Sequence, residues 1–147
     1  MTAAFFVFGL SMLVFAQLMS RAMASQLVRA AVTMAGVGTL GVAAFPLNVN
    51  SGGVEDVTHV VWAVVGYTGT VLAPIFGGWV FQQRSKPVAA LTSVVVGVAS
   101  LAALVGTSIS AHPGLWQRAG LGIVDGWFMI MAIWIFRQSA TSLTQGP

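Results

Sequence analysis

Five apolar stretches, each long enough to cross a bilayer, leave this chain little choice of architecture. They run from Ala3 to Met19, Leu27 to Ala44, Val57 to Phe81, Val88 to Ile109 and Leu115 to Phe136. A hydrocarbon core about 30 Å thick takes ~20 helical residues. Inside it every backbone N–H and C=O must be satisfied by the protein, which leaves helices or a closed barrel. None of the five stretches alternates apolar and polar residues with period two, so the barrel is disfavoured. The expectation is an all-α polytopic membrane bundle of about five transmembrane helices, forming a single domain over residues 1–147. Charge agrees: 6% of the residues are charged, where a soluble domain carries roughly a quarter. The chain has no cysteine, which removes disulfides, thiolate metal sites and cysteine nucleophiles.

The few charges set a topology. Arg21 and Arg29 flank the first connection, Arg84 and Lys86 occupy the third, and Arg137 follows the last stretch. Arg118 is the one base on the opposite side. Basic residues favour cytoplasmic loops. The amino terminus is therefore expected outside and the carboxyl terminus in the cytoplasm, in a plasma (inner) membrane. The net charge of +3 serves this topology, and no nucleic-acid partner is expected. Trp62, Trp79, Trp116 and Trp134 fall near the predicted interfaces, where amphipathic rings prefer to lie.

Two motifs mislead. Ala22-Met23-Ala24 imitates a signal-peptide cleavage site, but no basic region precedes the first apolar run, so a retained helix is expected. Gly36-Val37-Gly38-Thr39-Leu40-Gly41 matches the dinucleotide fingerprint, which works only at a strand-to-helix turn. Inside an apolar helix such glycines let backbones approach. The same packing is expected of Gly69, Ala73 and Gly77, and of Gly122 and Gly126. Pro74 is expected to kink the third helix.

The polar chemistry gathers at one end. Glu55, Asp56 and His59 open the third helix, and Asp56 and His59 share a face that continues through Ala63, Gly66, Tyr67 and Thr70. His112, Gln117 and Arg118 open the fifth, with Asp125 two turns further in. A carboxylate at membrane depth costs a few kcal/mol on insertion scales, so it should face the bundle and have a partner. Arg118 and His59 are its candidates. This predicts a pocket lined by Asp56, His59, Tyr67, Gln117, Arg118 and Asp125, or equally a polar clamp between the third and fifth helices. Glu55 reads as a solvated helix start.

Helix two ending in Gly41-Val42-Ala43-Ala44-Phe45-Pro46, the loop into Thr58-His59, and Gly114-Leu115-Trp116-Gln117-Arg118 with Trp127 resemble one bacterial family. It is the uncharacterised integral membrane family catalogued as domain of unknown function 998, and Phe8-Gly9-Leu10 looks like that family's second helix. The resemblance implies six helices, so this chain is expected to be a short, five-helix member completed by a homo-oligomer or a partner membrane subunit. It singles out His59 and Arg118 but implies no activity. The family also looks distantly similar to eukaryotic six-helix autophagy-modulator membrane proteins, which are linked to lipid organisation.

Reaction classes can be weighed against this inventory. A zinc site wants three or four ligands, and no helical H-x-x-x-H spacing exists here. No metal and no cofactor is expected. Ser108 or Ser51 with His59 gives only a nominal nucleophile set. Three functions remain. The first is a non-catalytic protein binding membrane lipids or a small amphipathic ligand, with Arg118 and His59 meeting an anionic head group. The second is a membrane enzyme using Asp56, His59 and Asp125 as catalytic acid–base groups on an apolar substrate. The third is a transport or scaffolding subunit.

Overall fold

A computed structural model describes residues 2–47 and 53–144. Its helices are α1 (Thr2–Met23), α2 (Gln26–Ala44), α3 (Val54–Gln83), α4 (Pro87–Ile109) and α5 (Pro113–Thr144). All five are long and apolar enough to cross a membrane, which marks a multi-pass membrane protein. Among the described residues there is no strand.

The ends of the helices follow local chemistry. The Ser25 hydroxyl accepts from the Val28 amide at 3.3 Å and caps α2, satisfying one of the donors a helix start leaves open. Pro87 opens α4 at a position where its missing N–H costs nothing. The α1–α2 and α3–α4 turns reverse direction through Ala24 and Ser85, both in the left-handed region at φ 51° and 54°. α5 runs eight residues past the expected Phe136, because nothing between Arg137 and Thr144 is Gly or Pro. Leaving the apolar stretch does not by itself end a helix. α3 likewise passes through Pro74 and continues to Gln83.

Each helix packs chiefly on its neighbours in sequence, while α5 meets α1 and α3 only sparingly. Small residues make the tight crossings, as van der Waals packing requires where lipid removes the hydrophobic drive. A Cβ on Gly38 would overlap the Gly66 backbone, and one on Gly69 would overlap the backbone of α2 at Ala35. Gly36 faces Gly9 of α1. The decoy fingerprint is thus two packing faces on one helix. Gly77 meets the Trp127 ring, where a Cβ would stand 2.8 Å away. Gly122 and Gly126 depart from expectation: a Cβ on either would meet nothing within 4 Å. That face of α5 points away from the chain's own helices.

The packed core is not spread evenly. Met12, Ala16, Met19 and Met23 of α1 are buried with Val28, Ala31, Val32 and Ala35 of α2, and with Ala73, Val80 and Phe81 of α3. Ala90 of α4 and Val124, Trp127, Phe128 and Met131 of α5 complete this cluster. These residues occupy the half of the bundle near the α1–α2 and α3–α4 turns. Two buried hydrogen bonds tie α4 to α5: the Trp127 indole N–H donates to Ser93 at 2.9 Å, and the Ser100 hydroxyl donates to the Gly120 carbonyl at 2.8 Å. Arg84 donates to the Ala22 carbonyl at 3.1 Å and links the two turns. The opposite half, at the start of α3, is built differently.

Candidate functional site

The third helix supplies one wall of a cavity of about 550 Å³. His59, Ala63, Gly66, Tyr67 and Thr70 recur at helical spacing and all line it, together with Trp62. Gly38, Thr39, Val42 and Ala43 of α2 supply the second wall. Ala4, Phe5 and Phe8 of α1 and Gln117, Leu121 and Asp125 of α5 face each other across the remaining side. Pro46 and Leu47 cover the end nearest the α2–α3 connection. No residue of α4 contributes. Volume and composition fall in the range of small-ligand sites, which are mostly apolar with a few polar groups.

Local packing explains why the space exists. Trp62 seats its ring over Gly41, where any Cβ would overlap it, so the indole lies against α2 rather than serving only as an interface anchor. Close backbone approach at Gly38 and Gly66 pins α2 to α3. α5 is held from behind by α4 and barely reaches α1 or α3. The gap between these two pairs is the cavity.

Its polar groups have defined roles. The His59 Nδ1 stands 2.7 Å from the Phe45 carbonyl. A carbonyl can only accept, so Nδ1 carries the hydrogen, and in the neutral ring Nε2 is left as an acceptor. This bond fastens α3 to the Phe45-Pro46 end of α2. The Gln117 amide donates to the Tyr67 hydroxyl, the one side-chain bridge between α3 and α5 that the cavity contains among the described residues. Thr39 and Thr70 donate to the carbonyls of Ala35 and Tyr67 at 2.8 Å and 2.9 Å. Their oxygens face the cavity as acceptors only.

Four of the six expected residues therefore meet here: His59, Tyr67, Gln117 and Asp125. Arg118 and Asp56 are not among the lining residues. Arg118 is exposed. It shares the Asp125 face of α5 but sits about 10 Å nearer the loop by helix rise. Among the described residues no ion pair or hydrogen bond joins Asp125 to Arg118 or His59. The expected clamp through Asp125 is absent, and the α3–α5 bridge is Tyr67–Gln117 instead. Asp125 is not enclosed by the bundle. It is exposed at the lip between α1 and α5, where α1 does not close over it.

From that lip a second, shallower cavity of about 520 Å³ runs along the α1–α5 seam. Phe8 and Asp125 line both spaces, so the two adjoin. Ser11, Met12, Phe15 and Leu18 form one bank, and Phe128, Met129 and Ala132 the other. Sequence reasoning missed this groove. Its signal was the run of large apolar side chains on α1, of which Phe8, Val14 and Leu18 are exposed and line it.

Other candidates separate from the site. Ser108 is exposed on α4 and lines neither cavity, while Ser51 and the Glu55 side chain lie outside the described residues. Among the described residues no three His, Asp or Glu side chains converge as metal ligands would.

A family model described as "Protein of unknown function (DUF998)" matches residues 1–134. No curated protein and no solved structure matches the chain.

Proposed function

The chain belongs to the DUF998 family, whose description assigns no function, and from that premise we propose that it binds a lipid or small amphipathic ligand without transforming it. The observation that carries this reading is a cavity of about 550 Å³ that adjoins an apolar seam between α1 and α5, sharing Phe8 and Asp125 with it. An amphiphile needs such a pair of spaces, one with polar anchors and one that accepts its chain. The polar end lies at the mouth of α3, which on the positive-inside bias would be the outer side of the membrane.

The acid–base alternative receives less support. It needs Asp56, His59 and Asp125 to converge on one substrate, and Asp56 does not line the cavity. Among the described residues His59 and Asp125 are not hydrogen-bonded to each other, and the ring of His59 is committed through Nδ1 to the backbone.

The test is to extract the protein gently and measure what accompanies it by native mass spectrometry. Wild type is expected to carry an amphiphile. Ala63→Phe, which puts a ring into the cavity, is expected to lose it while keeping helicity and thermal stability. Arrival of wild-type protein empty, or full retention of the ligand by the filled variant, would show the reading to be wrong.

A further inference from the structure

The chemistry of the cavity wall narrows the ligand class, resting on the binding reading above. Every charged residue lining either space is one residue, Asp125, and its charge is negative. The two threonine oxygens have spent their hydrogens on helix carbonyls. His59 has spent its Nδ1 hydrogen on Phe45. What the wall offers is therefore acceptors: the Asp125 carboxylate, the His59 Nε2, and the oxygens of Thr39 and Thr70. Its donors are both neutral: the Tyr67 hydroxyl, which accepts from Gln117 and keeps its own hydrogen, and the second N–H of the Gln117 amide. Arg118, the base expected to receive an anionic head group, does not line the cavity. An acceptor-rich wall with one exposed carboxylate is complementary to a donor that carries positive charge.

We propose that the α1–α5 seam and its cavity take a single-chain amphiphile bearing an ammonium group, with the ammonium at Asp125 and the chain along Phe8, Phe15 and Phe128. One groove leads away from Asp125, so one chain is accommodated. A carboxylate at membrane depth is costly when alone, and a charge-assisted N–H···O bond to an ammonium removes that cost. The protein's overall charge makes the proposal distinctive. At +3, with Arg118 exposed two turns above Asp125, non-specific attraction would favour an anionic amphiphile.

The test uses the full chain in phosphatidylcholine nanodiscs, with hexadecylamine, hexadecanol and hexadecanoate as competing probes scored by native mass spectrometry. Wild type is expected to retain the amine about tenfold over the alcohol and the acid. Asp125→Asn should erase that preference while the alcohol still binds, and Asp125→Glu should keep it. Equal retention of amine and alcohol, or preference for the acid, overturns the ammonium assignment and leaves amphiphile binding standing. Retention of none of the three by folded wild type overturns the binding reading itself. The wild-type series needs no variant, so a fold that fails on substitution does not protect the proposal.

Discussion

The two halves of the bundle are made from the same five helices and solve opposite problems. Near the α1–α2 and α3–α4 turns, methionine, valine and aromatic side chains meet until Ala16 and Ala73 have no exposure at all. Near the start of α3, the same helices leave a cavity with α4 absent from its wall. The difference lies in α5. In the closed half Phe128 reaches Phe15 of α1 edge-to-face with centroids 6.1 Å apart, and Trp127 bonds to α4. In the open half α5 presents Gln117, Leu121 and Asp125; Gln117 reaches Tyr67 of α3, but among the described residues no aromatic contact to α1 like that of Phe128 closes the space. Tight packing and an open cavity are thus segregated along one helix.

Substitutions can break this contrast, beginning with the largest effect. Trp127→Ala empties the closed half and leaves Ser93 unpaired, so it should cost about 3–5 kcal/mol, read by denaturant titration of the protein in detergent. Next comes a matched pair of insertions. Ala73→Phe should destabilise by ~1–3 kcal/mol or more, since overpacking forces neighbours to move, whereas Ala63→Phe should leave the thermal midpoint nearly unchanged because it enters a void. Equal losses in the pair would mean that the two halves are packed alike. Tyr67→Phe removes the Gln117 bridge and should cost about 1 kcal/mol, or less if the half is as loose as described. Smallest, and opposite in sign, Ala24→Gly should raise stability by up to ~1 kcal/mol, because glycine tolerates the positive φ of 51° without steric cost.

The closed half was the harder one to see beforehand, although the helices themselves were plain. Length and apolarity named all five helices, and the largest shift of an end is at Arg137 to Thr144, where polar residues prolong α5. The α3 face from His59 to Thr70 was legible because a single helix carries it at fixed spacing. Arg118 falls outside the lining for a reason of the same kind. Spacing along α5 places it on the Asp125 face, but only the position of α1 decides how far up that face the cavity extends. Gly122 and Gly126 carry the same spacing as the packing glycines, yet no helix of this chain sits opposite them. A small-residue pair reports that close approach is allowed, not that a neighbour is present.

The seam between α1 and α5 carries one more consequence. On the binding reading proposed above, a ligand would enter a cavity that opens sideways between two apolar helices from within the surrounding layer, not from the water above it. Its occupancy then follows the ligand's mole fraction among the lipids, and diluting the aqueous phase at a fixed lipid composition leaves it filled. Supply is two-dimensional, and the relevant dissociation constant is a surface density.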